Sequence, residues 1–142
     1  AHAVADHEHI RLERQLVEQT LQATGQFLWV AQESDLDAVT ALSGSGPAYV
    51  FYFMEHMMAA GVAMGLSALQ AEKLTLATFS GAAHLAASSA EPAAVLRERV
   101  TSKGGTTYAA LTAMQSAQVG ENIEAALHRA QVRAQELGAE FG

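Results

Sequence analysis

The sequence predicts a mainly α-helical bundle preceded by one helix and one strand that have no sheet of their own. Three observations predict it. From Ser34 to the end, helix starts and stops follow one another with no strand pattern between them. Phe27-Leu28-Trp29-Val30 is the one convincing strand, short and free of polar residues. One strand cannot pair its own backbone, so its partners belong to a missing part or to another chain. Finally, Ile123, Leu127, Ala130, Ala134 and Leu137 repeat at alternating spacings of four and three, a narrow seam for a partner helix.

The elements follow in order. Asp6 caps a first helix over about residues 7–24, with Ile10, Leu16, Val17 and Leu21 on its apolar side and Gly25 at its end. The strand at 27–30 comes next. Ser34 caps a short helix, DLDAVTAL, and Ser45 with Pro47 opens a long one that ends at Gly65. Tyr49 to Met54 are apolar without a break, so this helix should be central and surrounded by protein. Met54, Met57, Met58 and Met64 read as its core filler. Ser67 and Gln70 form a capping box for a helix through about Ser88, where Gly81, Ala82 and Ala83 permit close contact. Pro92 starts a short helix ending near Val100. TSKGGTT is a loop that opens a helix through about Ala117, and the last helix covers about Glu121 to Glu140.

Composition narrows the function. The chain has 142 residues, half of them apolar and 16% charged, with a formal net charge of -7. So few charges in a small chain imply that some of its surface is covered by another body. Lys and Arg are absent from Gln15 through Glu72, which leaves no basic stripe for nucleic acid. With no cysteine there is no disulfide framework, thiol nucleophile or Cys-ligated zinc, and a reducing compartment fits. The opening AHAVADHEHIRLERQ is too polar for a signal peptide. In the apolar stretch Ala38–Leu69, Glu55 falls near the middle and no basic residues flank it closely, so burial in protein is preferred to a membrane span.

The segment Thr101-Ser102-Lys103-Gly104-Gly105-Thr106-Thr107 carries the most chemistry. Two glycines let the backbone turn and present its N–H groups. The helix that follows adds unpaired N–H groups and the positive end of its dipole. Ser102, Thr106 and Thr107 add hydroxyls, and Lys103 adds a charge, so a carboxylate or phosphate could be held here. An ordinary Gly-rich turn capped by Thr accounts for the same letters. It is not a Walker A loop, because Lys103 precedes both glycines. Ser43-Gly44-Ser45-Gly46-Pro47 is not a nucleophile elbow: the G-x-S-x-G spacing fails, no strand leads into it, and capping explains it. His2, His7 and His9 cluster near the start, but residues 7 and 9 point to different helix faces, so no metal is expected. His56 follows Glu55 in an apolar helix, either as a satisfied buried pair or as a general acid. His84 and His128 have no patterned partners.

DAVTALSGSGPAYVF at 37–51, AAGVAMGL at 59–66, VTSKGGTTYAAL at 100–111 and the closing RAQEL at 133–137 resemble pyrroline-5-carboxylate reductase, in this order and spacing. The resemblance covers Ser34 to about Leu137. Residues 1–33 more loosely resemble the last helix and strand of that family's dinucleotide-binding domain. The resemblance implies a remnant of a Rossmann domain at 1–33. It further implies a helical domain at 34–142 of the 6-phosphogluconate-dehydrogenase C-terminal-like type, interleaved with a second copy as a homodimer or higher oligomer.

The family reduces 1-pyrroline-5-carboxylate to L-proline with NADPH or NADH in the cytoplasm. What the resemblance implies for residues is specific. Ser102, Gly104, Gly105, Thr106 and Thr107 would hold the substrate carboxylate, with Val100 as a wall. Thr107 would place its hydroxyl near the ring nitrogen as the catalytic position. Many family members have Pro where this chain has Lys103. No G-x-G-x-x-G occurs here, so the cofactor would be bound mainly by a domain outside this chain, and the chain alone is expected to be inactive. A stand-alone helical oligomerisation module is the alternative. The helical domain of a related hydroxy-acid or amino-acid dehydrogenase is a third reading.

Overall fold

The computed structural model describes residues 13–21 and 28–141. They fall in two compact units, Ala1–Leu36 and Asp37–Gly142. In the first unit, residues 13–21 are helical (α1) and Leu28–Val30 have no regular structure. The Trp29 indole N–H donates to Glu18 Oε1 at 2.8 Å, and the Arg14 guanidinium lies 4.8 Å from the centre of the Trp29 ring. The expected strand is therefore corrected over 28–30. Among the described residues no second strand offers a ladder, and Trp29 turns to polar partners on α1 instead. Asp6, Gly25, Phe27 and the rest of the expected first helix lie outside the described residues.

The second unit is helical. After α2 (Asp35–Val39) comes a π-helical turn, Thr40–Gly44, then α3 (Gly46–Ala63), α4 (Ala68–Ser88), α5 (Ala93–Arg99), α6 (Thr106–Ser116) and α7 (Val119–Phe141). Two expected caps are corrected. Ser34 Oγ lies against Gln32 Oε1, and the Asp35 carboxylate instead accepts from the N–H groups of Ala31 and Gln32 at 3.2 and 3.0 Å. Ser45 is helical and caps nothing with its side chain. Its N–H donates to the Thr40 carbonyl at 2.9 Å, so the π turn runs straight into α3, with Pro47 in the first turn.

The turn between α3 and α4 follows the sequence closely. Gly65 takes φ +101°, and the N–H groups of Leu66 and Gly65 donate to the carbonyls of Gly61 and Val62 at 3.1 and 3.0 Å. This is a Schellman stop, which needs a left-handed residue. The Ser67–Gln70 capping box then opens α4, with bonds of 2.9 and 3.3 Å. The resulting helical hairpin is tight because Gly61 has no side chain. A Cβ there would meet the Ala71 Cβ at 3.1 Å. Gly61, Ala71 and Thr75 are buried at this contact, and Ala41 is buried on the π turn.

The closing helix α7 packs on the π turn and on α6. Of its predicted seam, Leu127, Ala130 and Ala134 are half-buried, while Ile123 and Leu137 are exposed. Near its end Arg133 donates to Glu136 at 2.8 Å and to Glu140 at 3.2 Å. These two bonds hold the guanidinium above its ordinary value.

The described residues do not surround the central helix α3. Phe51 and Tyr52 are 66% and 62% exposed, and Met57 and Met64 are exposed as well. The methionines are therefore not core filler of the single chain; Met54 and Met58 are only half-buried. Among the described residues the fully buried ones are small, at helix crossings, and many of the large apolar side chains are exposed. Among the described residues no helix is long and apolar enough to cross a membrane.

Gln118 joins α6 to α7 at φ +53°, a conformation in which a Cβ costs roughly 1–2 kcal/mol. Gln118→Gly is therefore expected to raise stability by about 0.5 kcal/mol after the extra backbone entropy of glycine is counted. The check is the thermal unfolding midpoint, expected to rise by about 2 °C. A lowered midpoint would mean that the Gln118 side chain contributes more than its backbone costs.

Candidate oxyanion site at the start of α6

The site is built from a stop, a turn and a start. Helix α5 ends at Arg99 with Val100 as its C-cap, and the Thr101 N–H donates to the Glu98 carbonyl at 3.0 Å. Arg99 pairs with Glu91, which lies just ahead of the same helix. A reverse turn follows, closed by the Gly105 N–H on the Ser102 carbonyl at 3.0 Å. Gly104 sits in its third position at φ +75°, which a type II turn requires. Lys103 occupies the second position, where proline is favoured.

Gly105 is the N-cap of α6, and no side chain caps that helix. The Ala109 N–H, donating to the Gly105 carbonyl at 3.1 Å, is the first to be paired. Among the described residues no backbone carbonyl accepts from Thr106, Thr107 or Tyr108 N–H. These donors and the positive end of the helix dipole lie beside the hydroxyls of Thr106 and Thr107. The predicted residues are thus brought together in one exposed loop. Ser102, Thr106 and Val100 are exposed, Val100 by 63%, and Thr107 is half-buried. The reading of this segment as a turn capped by Thr is not what the backbone does, since the cap is Gly105 and the threonines follow it.

One feature was not visible in the letters alone. Ser102 folds over Gly105 so closely that a Cβ there would lie 2.6 Å from Ser102 Oγ and 3.2 Å from the Ser102 carbonyl. The second glycine is therefore favoured by the space under Ser102 and not by its dihedral angle. A Cβ would make the Ser102 hydroxyl turn away and the carbonyl give by a few tenths of an ångström.

Other candidates do not join this site. Glu55 and His56 are both exposed on α3, and His56 meets the Tyr52 ring edge-on at 4.4 Å. A buried Glu55–His56 pair is corrected, because α3 is uncovered on that side. Ser43 and Gly44 belong to the π turn. His2, His7 and His9 lie outside the described residues. His84 is on α4 and His128 on α7.

A helical domain with an exposed central helix and a glycine-containing turn ahead of an uncapped helix start defines a class: a helical assembly domain. The pyrroline-5-carboxylate reductase dimerisation family matches residues 33–137, and the chain belongs to it. It is 48% identical over 124 residues to pyrroline-5-carboxylate reductase from Pseudomonas aeruginosa, covering 87% of this chain and 45% of that protein. The reductase from Pasteurella multocida is 39% identical over 125 residues, covering 87% and 46%. Among solved structures, a pyrroline-5-carboxylate reductase from Coxiella burnetii superposes with a TM-score of 0.84 at 40% identity, covering 88% of this chain and 46% of that one. Pyrroline carboxylate reductase from Plasmodium falciparum, solved with NADP bound, gives 0.81 at 29% identity, covering 89% and 48%. The chain spans about half the length of these relatives.

Proposed function

We propose that this chain is the dimerisation and substrate-carboxylate part of a cytoplasmic reductase that converts 1-pyrroline-5-carboxylate to L-proline with NADPH or NADH. Residues 34–142 form that domain, as a homodimer or larger ring, and residues 1–33 are the end of a dinucleotide-binding domain. The observation that carries the reading is the donor cradle at the start of α6, inside the family-matched segment.

In this reading the N–H groups of Thr106 and Thr107 and the Ser102 and Thr106 hydroxyls bind the substrate carboxylate, with Gly104 and Gly105 shaping the cradle and Val100 walling the ring. The Thr107 hydroxyl hydrogen-bonds the ring nitrogen and orients the C=N bond. Fixing both ends of a small ring presents one face of the imine carbon, so orientation does most of the catalytic work. No G-x-G-x-x-G occurs in the sequence, so in this reading the dinucleotide's pyrophosphate is held mainly outside this chain. The nucleotide, held elsewhere, would supply the hydride.

Binding can be tested on the chain itself. L-Proline or pyrrole-2-carboxylate, followed by amide NMR, is expected to shift Gly104 to Thr107 with a dissociation constant on the order of millimolar. Gly105→Ala opens the turn against Ser102 and is expected to weaken that binding by roughly tenfold or more. If no carboxylate shifts these amides while the chain still assembles, it is a structural module only.

A further inference from the structure

Three helices of the second unit share one stop bond and then diverge. The N–H of the second residue past each helix, at Gly65, Thr101 and Gln118, donates to the carbonyl three residues back at 3.0 Å. Gly65 and Gln118 take left-handed conformations there, and Thr101 does not. A β-branched residue fits that conformation poorly, so the chain does not curl back over the end of α5. At the end of α3 the curl lets the next N–H, on Leu66, reach the Gly61 carbonyl at 3.1 Å. The matching carbonyl of α5 belongs to Arg97, and the Thr101 hydroxyl donates to it instead, at 2.6 Å. Thr20, Thr78, Ser88, Thr112 and Ser116 also donate to the carbonyl four residues back, but from inside their helices. Among the described residues only Thr101 does so from beyond a helix end. The Ser102 N–H, the counterpart of Leu66 N–H, makes no hydrogen bond among the described residues.

We propose, on the reading of the α6 start as a carboxylate cradle, that Thr101 is the positioning residue that sets Ser102 within it. The Thr101 hydroxyl closes the end of α5 with a side chain, so the backbone is free to run on into the Ser102–Gly105 turn. Ser102 is thereby held over Gly105, where its hydroxyl oxygen would lie 2.6 Å from a Cβ. A left-handed residue at 101 would fold Ser102 back onto α5 and carry the turn away from the Thr106 and Thr107 N–H groups. Both parts of the side chain are needed. The branched Cβ bars the left-handed stop, and the hydroxyl supplies the bond that stop would have made. Thr101 itself touches no substrate in this arrangement, since it is half-buried and its hydroxyl is committed to Arg97.

The test compares three substitutions at Thr101, with L-proline as the probe and the amide signals of Gly104 to Thr107 as the readout. Thr101→Ser keeps the hydroxyl and is expected to bind within about twofold of the unaltered chain. Thr101→Val keeps the branch and loses the bond, and its dissociation constant is expected to rise about fivefold. Thr101→Gly readmits the left-handed stop, a common helix end, so the unfolding midpoint is expected to hold within about 2 °C. Its Ser102 amide should become slow to exchange as it closes on the Arg97 carbonyl, and L-proline binding should fall roughly tenfold or more. A residue that only supports the helix end would lose affinity in step with stability; here affinity falls in a variant whose stability does not. In a complete reductase carrying this domain, KM for 1-pyrroline-5-carboxylate is expected to rise in the same order. There kcat should change by no more than about twofold, because the carboxylate is gripped alike in the bound and transition states. Unchanged binding in Thr101→Val or Thr101→Gly, or a Thr101→Ser chain as weak as Thr101→Val, overturns the role of Thr101 if the unaltered chain still shifts those amides. An unaltered chain that shows no shift overturns the cradle reading instead.

Discussion

Phe51→Asp is expected to leave the chain monomeric at concentrations where the unaltered chain is a dimer. Phe51 is 66% exposed on a helix whose apolar run, Tyr49 to Met54, covers more of its circumference than one chain can bury. At 100° per residue six successive apolar residues point in every direction. Helix α4 and the π turn cover only part of them. Burying a Phe side chain in a partner is worth about 2–3 kcal/mol. Placing a carboxylate there loses that gain and adds a desolvation cost. A two-fold contact counts each loss twice, so the dimer should weaken by about 4–6 kcal/mol, or at least roughly 10³-fold. Sedimentation equilibrium reads the mass, and circular dichroism reports whether the monomer keeps its helices. A dimer of undiminished affinity would place the interface on another face of the bundle.

The burial pattern explains why some of the fold was legible in the sequence and some was not. Features that depend on one residue's chemistry were readable. Gly65 is the stop it was expected to be and takes a left-handed conformation, Ser67 and Gln70 make their reciprocal bonds, and Pro92 precedes α5. Features that depend on competition between neighbours were not. Ser45 has the identity of a cap, but the π turn before it holds it in a helical conformation, at φ -86° and ψ -15°, where a capping residue is normally extended. A one-residue slip in hydrogen bonding leaves no trace in apolar periodicity. Gln118 takes a left-handed conformation with none of the usual residues for it, because the junction between α6 and α7 imposes it. The strand at 27–30 was expected from local composition, yet a strand is a property of a pair.

The same distinction applies to the candidate site. Its segment stood out because two glycines and the hydroxyls of Ser102, Thr106 and Thr107 fall together at a helix start, a pattern that an ordinary turn also gives. Their division of labour was not legible. Gly104 is favoured by its dihedral angle, Gly105 by the space under Ser102, and the threonines are left uncommitted by the cap. The central helix was expected to be enclosed, and composition alone cannot say whose atoms enclose it. In one chain it stands uncovered, which is what an interface looks like before assembly.

Thr107→Val, assayed in a complete reductase carrying this domain, is expected to lower kcat/KM by about 1–3 kcal/mol in transition-state terms, roughly 5- to 150-fold. The argument starts from the cap. Gly105 holds the N-cap position and no side chain closes the helix, so the Thr107 hydroxyl is not needed to start α6. Valine keeps the branched shape and approximate volume in the half-buried place that Thr107 occupies, so the fold should lose within about 0.5 kcal/mol. What valine cannot do is hydrogen-bond the ring nitrogen. As hydride adds to the imine carbon, the bonding at that nitrogen changes, and a hydroxyl held against it helps more in the transition state than before it. Thr107→Ser retains the oxygen and is expected to keep most of the activity. The measurement that decides is kcat/KM per folded enzyme, taken beside the unfolding midpoint for each variant. If Thr107→Val left kcat/KM unchanged and lowered the midpoint, Thr107 would support the helix start, and the group facing the ring nitrogen would have to be sought elsewhere.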